Sequence, residues 1–524
     1  MARIIQTADL TPAAIAAMPA ADVEHIYNGL DCAVTMEIAE VLKPQLDNVT
    51  SKTYAFSRAL QAPILEMSLR GVLVDQVRRK EVLTKFKSQI TVLESHLYEI
   101  VRDGVGFPLT NWRSTPQLKD LFESHMNLSL LKKRKPDGTY GPAVDREALE
   151  KLSFNFHAEP ICNHILALRD LDKKRQFLET GLDPDGRIRT NFNIAGTNTG
   201  RLASSMSDFG TGTNLQNVDR DLRSIMIPDP GMKFGNLDLE QGDARNVGAI
   251  CWNLFADEDE AKAGAYLNAC ESGDLHTAVC RMAWINLPWT EDPKKNKAIA
   301  EQIAYRQDSY RQLAKKLGHG TNYYGTPTTM ARHTKVARPT IEEFQRAYFA
   351  AFPAIGSYDR DLRKRTWHSH IANELRNSGT LTTLFGRRRK FWGRADDDST
   401  LREAIAFAPQ SMTADEIDLG LLSLWRSNRV QLLLQVHDSI LFQYPEEQEN
   451  EIIPWALETL KQYLTLKKDR RFVVPTEAKV GFNWGDVTYD KEGNVMGNAD
   501  GLIKWKGGDS RKRPQVSKFS LLNF

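Results

Sequence analysis

Apolar residues recur every three or four positions, with charges between them, through residues 77–102, and the same period returns over 145–178. Both stretches predict amphipathic helices. An earlier helix is expected from about Asp31 to Leu42, and Arg70-Gly-Val-Leu-Val-Asp75 reads as a turn into a short extended piece. A basic connector carrying Gly and Pro, 132–142, separates the two long helices. From Gly186 the pattern changes to short extended pieces and polar turns at 187–193, 197–201 and 214–217. The apolar run Phe234-Gly-Asn-Leu ends in Asp238 and leads into a helix expected near Gly242, and residues 243–365 are again mostly helical. Residues 432–435 and 440–443 predict two strands of a hairpin with His437-Asp438-Ser439 at its tip. The order helical, mixed, helical, mixed predicts an α+β core built from two separated segments, with helical lobes inserted between them.

Composition narrows the class. A chain of 524 residues is too long for one ordinary core, so several subdomains around a common cleft are expected. No segment reaches the roughly 18–20 uninterrupted apolar residues of a membrane span, and residues 1–6 show no signal or transit pattern. Cysteines 32, 162, 251, 270 and 280 form no CxxC pair, which fits a reducing, cytoplasmic setting. Net charge is only +2. It announces no nucleic-acid partner, and the basic clusters 132–135, 387–390 and 511–513 read first as solvated surface.

The candidate chemistry lies in two acids and one helix. Asp238 and Asp438 both terminate apolar runs, where packing can fix a carboxylate at a cleft. Taken singly, each reads as an ordinary turn acid. Between them Arg311, Lys315, His319 and Tyr323 recur every four residues, a stripe along one helix. Arg and Lys neutralise a triphosphate, and an aromatic or imidazole further along can stack on sugar and base. Two carboxylates that hold Mg²⁺ and a cationic helix that holds a triphosphate are the parts nucleotidyl transfer needs.

At these residues the chain resembles the family A DNA polymerases, the group of bacterial DNA polymerase I and many bacteriophage replicative enzymes. Asp238-Leu-Glu-Gln-Gly-Asp243-Ala-Arg245 is similar to the first palm motif, Gln435-Val-His437-Asp438-Ser439 to the second, and 311–325 to the O-helix of the fingers. Smaller segments follow in the same order. Thr199-Gly-Arg201, with Asn214-Leu-Gln216-Asn217, resembles the segment at the primer terminus, and Gly273-Asp-Leu-His276 a phosphate-binding fingers segment. Arg402 and Gln410 resemble the palm helix that tracks the template–primer, and 111–122 a thumb element.

The resemblance implies an α+β right-hand fold with an antiparallel-sheet palm, helical fingers and helical thumb. It implies a remnant of an exonuclease domain at 1–50, thumb at 51–180, palm at 181–245 and 371–485, fingers at 246–370 and a C-terminal extension at 486–524. It implies dNTP addition to a primer 3′-OH, in phage-type replication or in repair, with two Mg²⁺ held by Asp238, Asp438 and the Leu239 carbonyl. Arg311, Lys315 and His276 would hold the triphosphate, with Lys315 protonating the leaving group. His319 and Tyr323 would face sugar and base, and Asp243 would block a ribose 2′-OH. Arg201, Asn214, Gln216, Arg402, Gln410 and His437 would contact DNA. Template–primer DNA and dNTPs are the expected partners of a monomer.

Four positions depart from the family pattern. Asp243 stands where Glu is usual, shorter by a methylene, predicting weaker exclusion of ribonucleotides. His319 replaces the usual Phe or Tyr, Tyr323-Tyr324-Gly325 carries an extra residue so that either tyrosine could serve, and Ser439 replaces a second acid. The His-Asp-Ser form is also that of single-subunit RNA polymerases, the alternative enzyme class, against which Asp243 and the Thr-Gly-Arg segment stand. A non-catalytic nucleic-acid-binding scaffold is the alternative outside enzymes, and the presence of both acids argues against it.

The ends carry separate expectations. Tyr27 and Asp31 resemble the last motif of a 3′–5′ exonuclease, but only 26 residues precede Tyr27, so no proofreading by this chain alone is expected. The motif is a relic, a helix start, or half of a site completed by a separate exonuclease polypeptide. Residues after Trp484 are expected outside the polymerase body, with 507–514 a basic linker. Residues 515–524 resemble the terminal peptide through which replicative polymerases dock a sliding clamp; a tail folding back on the body is the alternative.

Overall fold

The computed structural model of the chain describes residues 11–305, 308–490, 492–509 and 511. Helix α1 (Ala20–Leu42) starts eleven residues before the expected Asp31. None of its residues is buried, and Tyr27 is 65% exposed. Helix α2 (Gln76–Val105) covers the predicted amphipathic stretch. Asp75 caps it by accepting from the Val77 and Arg78 amides, and Gly106, left-handed at φ 74°, ends it. α2 packs against α3 (Glu159–Leu178), and Leu97, Val101, Trp112, Phe122, Ile161 and Ile165 build a core separate from the main one. The connector at 132–142 is a β-hairpin, Lys132–Arg134 against Tyr140–Pro142, so its Gly and Pro punctuate a turn between paired strands.

The main core surrounds a five-stranded antiparallel sheet. Its strands are β1 (Met232–Leu239), β2 (Gln431–Val436), β3 (Ser439–Pro445), β4 (Thr476–Gly481) and β5 (Ile503–Lys504), in the order β2-β3-β1-β4-β5. Strand β1 is apolar on both faces, with Phe234, Leu237 and Leu239 buried, as a central strand requires. Gly235 lies opposite Phe442, and a Cβ there would stand 2.4 Å from the ring. The glycine lets strands and ring close up. Helices α4 (Gly242–Phe255), α5 (Leu275–Ala283) and α6 (Tyr310–Asn322) line the cleft above the sheet, and α7 (Asp398–Ser427) packs against α4.

The expectation that residues beyond Trp484 lie outside the body is corrected by β5, which adds an edge strand to β4 through Lys479–Lys504 and Val480–Ile503. Nor are 507–509 and 511 a free linker. Asp509 pairs with buried Lys233 at 3.1 Å, and Arg511 donates to the Val480, Ala499 and Gly501 carbonyls. Lys233, held also by Glu449 at 2.6 Å, could not stay buried without such partners. The candidate clamp-docking peptide, 515–524, lies outside the described residues.

Candidate active site

Pairing register brings the two acids together. Ser439 is the cross-strand partner of Asp238, and the Leu239 amide donates to the Asp438 carbonyl at 3.1 Å, so Asp438 sits beside the end of β1. A two-residue turn closes the β2–β3 hairpin, with His437 left-handed at φ 57°. Its carbonyl accepts from the Gln435 side chain at 2.5 Å, which holds the turn in place. Both acids line a cleft of about 1270 Å³, with Leu239, His276, Lys315, His319, Tyr323, Arg201, His437 and Asp243 on its walls.

The floor of that cleft is electrostatically unbalanced. Asp238 opens to cleft water on one side while protein crowds it on the others. Its carboxyl is pushed up to about 7 by burial and then by repulsion from Asp438 and Glu477, with Lys479 and Lys315 opposing. Burial raises Asp438 as well, helped by Asp243. Among the described residues no three His, Cys, Asp or Glu side chains group as a metal cage. Two converging oxygen donors with uncompensated charge nevertheless suit Mg²⁺, which takes one or two carboxylates and leaves its other positions to phosphates and water.

The opposite wall is cationic. Ser309 and Gln312 form a capping box that starts α6, and buried Leu313 and Leu317 fix the face it turns to the core. Lys315 and His319 therefore face the cleft, while the helix ends at Asn322 and Tyr323 serves as its cap. Tyr324, also left-handed, is buried against His368 and under Arg360. Tyr323 is thus the tyrosine in the cleft, its ring edge-on to His319 at 4.6 Å. Arg311 does not line the cleft. It forks onto Asp274, which caps α5 beside His276, at 2.9 and 3.1 Å. Burial and the nearby Arg311 and Lys315 lower His276 to about 4, so its imidazole is neutral.

Asp243, in the first turn of α4, is saturated with donors. Arg201 reaches both its oxygens at 3.2 and 3.4 Å, the Tyr323 hydroxyl donates to Oδ2 at 3.1 Å, and Thr413 of α7 donates to Oδ1 at 2.8 Å. Arg201, expected at the primer end, is here a partner of Asp243. Gln216 is buried and donates to the Gln435 side chain and carbonyl, so it braces the hairpin instead of facing a groove. Asn214 caps the Leu215–Asn217 turn. Arg402 pairs with Asp398 one turn back, and neither it nor Gln410 lines the cleft.

Three neighbours of the site escape sequence reasoning. Glu477 of β4 is the cross-strand partner of Asp238. Thr413 sits inside a segment read only for Gln410. Arg387 belongs to a cluster set aside as surface, yet it forks onto Asp415 and underlies Gly200, where a Cβ would meet its guanidinium at 2.4 Å. Gly200, at φ 84°, allows that approach. A buried glycine–arginine contact leaves no mark in spacing, although Thr-Gly-Arg itself pointed to the segment.

The family model described as DNA polymerase family A matches residues 77–486. DNA polymerase I of Chloroflexus aurantiacus is 26% identical over 493 residues, covering 88% of this chain and 46% of that protein. DNA polymerase I of Geobacillus stearothermophilus is 28% identical over 449 residues, covering 82% and 44%. The chain thus spans about half the length of these relatives. The fold is similar to the POL domain of Pol1 from M. smegmatis, whose structure is a complex with DNA primer-template and dNTP, at a TM-score of 0.62 and 22% identity over 81% of this chain and 69% of that one. The likeness establishes the α+β right-hand polymerase fold. No helix among the described residues is long and apolar enough to cross a membrane. With a family match running from the start of α2 to beyond β4, across every element that frames the cleft, the chain belongs to DNA polymerase family A.

Proposed function

We propose that this chain is a template-directed DNA polymerase that adds dNTPs to a primer 3′-OH and releases pyrophosphate, in replication or repair. One observation carries the reading: Asp238 and Asp438, brought side by side by strand register, face Lys315, His319 and Tyr323 across a single cleft. On this reading the lobe of residues 51–180 is the thumb, 246–370 the fingers, and 181–245 with 371–485 the palm.

Asp238 and Asp438, with the Leu239 carbonyl, would hold two Mg²⁺, which when bound activate the attacking oxygen and neutralise the departing phosphates. The chain's own groups do the rest. Lys315, for which no carboxylate partner lies within ion-pair distance among the described residues, brings a compact charge to the triphosphate and gives its proton to the leaving oxygen. Neutral His276 donates one hydrogen bond to phosphate, and Asp274 holds the Arg311 fork at the same helix end. Tyr323 and His319 pack against base and sugar, and Asp243 guards the 2′ position. Arg201, Asn214, Arg402, Gln410 and His437 border the path proposed for the duplex, where Arg contacts to phosphate make affinity fall with salt, while buried Gln216 supports that path only by bracing the hairpin.

Single-nucleotide extension of a primed DNA template, with dNTP against rNTP and with and without Mg²⁺, tests the reading. Mg²⁺-dependent dNTP addition supports it. Preference for rNTP moves the chain to RNA synthesis, and no extension with either nucleotide overturns it.

A further inference from the structure

The donor set around Asp243 extends into the palm in a way the catalytic reading does not use. Asn246 of α4 and Thr413 and Glu416 of α7 are 0, 1 and 1% exposed, polar groups set into an otherwise apolar helix–helix contact. Such groups are costly unless bonded. The Asn246 amide donates to Thr413 Oγ1 and to Glu416 Oε2, both at 3.1 Å. Thr413 Oγ1 in turn lies 2.8 Å from Asp243 Oδ1 and 3.0 Å from the Pro409 carbonyl. A hydroxyl has one proton to give. With Asn246 filling the oxygen as acceptor, that proton goes to the shorter, charged partner, Asp243. Burial pushes Glu416 up to about 8, so the far end of the chain is a neutral acid and sets no second negative charge behind Asp243. Gly242 lets the helices meet, since a Cβ there would already lie 3.1 Å from the Thr413 methyl.

Resting on the proposed polymerase reading, we infer that Thr413, oriented by Asn246, is a positioning residue for sugar discrimination: its hydroxyl pins the short Asp243 side chain so that neither carboxylate oxygen is free to accept a ribose 2′-OH. A carboxylate offers about four acceptor positions; one Arg201 nitrogen bridges both oxygens, Tyr323 takes Oδ2 and Thr413 takes Oδ1, so three donors crowd the group. Tyr323 belongs to the lobe opposite the palm and Arg201 reaches from a loop, so Thr413 is the anchor on the same helix pair as the gate. Without it Oδ1 is a desolvated acceptor beside the sugar, and a 2′-OH becomes a suitable donor.

The test is the ratio of kcat/KM for dCTP over CTP in single-nucleotide insertion, for the wild type, Thr413→Val and Thr413→Ser, with each variant's Tm. Thr413→Val keeps the shape and removes the proton. It should lower the ratio on the order of tenfold, the worth of one hydrogen bond to a charged group, through a lower KM for CTP. Thr413→Ser should restore the ratio to within about twofold of wild type. A Thr413 that only packs would shift Tm and affect both nucleotides alike, and an unchanged ratio overturns the inference. Should Thr413→Val fail to fold, Asn246→Val, which releases the Thr413 proton to Pro409, should lower the ratio in the same direction; an unchanged ratio there overturns the inference too. A wild type that inserts neither nucleotide overturns the polymerase reading instead, so the two failures are distinct.

Discussion

Asp238 and Asp243 stand five residues apart, one at the end of a strand and the other in the first turn of the helix that follows, yet their surroundings are opposites. Asp238 faces the cleft beside Asp438 and across from Glu477, with cations only at a distance, and its carboxyl is raised to about 7. Asp243 has an arginine, a tyrosine and a threonine on its two oxygens. The first environment stores repulsion that a bound cation relieves. The second leaves a carboxylate with nothing further to accept. Within one turn of chain the fold thus separates two acids by their neighbours, and on the proposed reading the first is the one that binds and the second the one that refuses.

Removing the unsatisfied acid should have the largest effect. Asp238→Asn should lower Mg²⁺-dependent primer extension on the order of 10³-fold in kcat, measured by rapid quench, because a fixed charge beside the reacting phosphate is lost. Lys315→Ala comes next, on the order of 10²-fold in kcat, with Lys315→Arg recovering triphosphate binding but little of the rate. If both variants lost only KM, the cationic wall would be a binding surface and no more.

Acid and base should distinguish the two carboxylates further. A metal-binding carboxyl titrating near 7 has to release its proton, so apparent Mg²⁺ affinity should fall up to tenfold for each pH unit below about 7 and level off above it. The stability of the metal-free chain follows the opposite sign. The folded carboxyl holds its proton more tightly than the unfolded one, so this contribution is complete below about 4 and is lost as pH rises through about 7. Asp238→Asn should therefore raise the metal-free Tm at pH 8 and leave it unaltered at pH 4, as read by calorimetry. The smallest expected effect bears on the strand that ends beside Asp238: Gly235→Ala forces a methyl against Phe442 and should cost about 1–3 kcal/mol in denaturant unfolding.

Much of the cleft was legible because its residues end local patterns. Asp238 and Asp438 each close an apolar run, and the stripe 311–323 has helical period, so one residue's neighbours in sequence pointed to its place in space. Where the cause is long-range, the pattern was silent. Ile503-Lys504 makes a two-residue strand with no signal of its own, and only its register on β4 gives it a role. Asn246, Thr413 and Glu416 look like polar interruptions in helices and gain meaning only where α4 crosses α7. Gln216, chosen for the groove, is held inside by a partner 219 residues away, the long-range pairing that spacing cannot convey. Between Tyr323 and Tyr324 the end of α6 decides, because Tyr323 as its capping residue is the ring that reaches the cleft.

The most direct measurement is extension of a 5′-labelled primer on a DNA template with Mg²⁺, wild type beside Asp438→Ala, comparing dNTPs with no nucleotide. Asp438 closes the unsatisfied pair from the neighbouring hairpin, so the account predicts dNTP- and Mg²⁺-dependent lengthening by the wild type and its loss in the variant, with template–primer binding retained. Equal extension by the two proteins would contradict it.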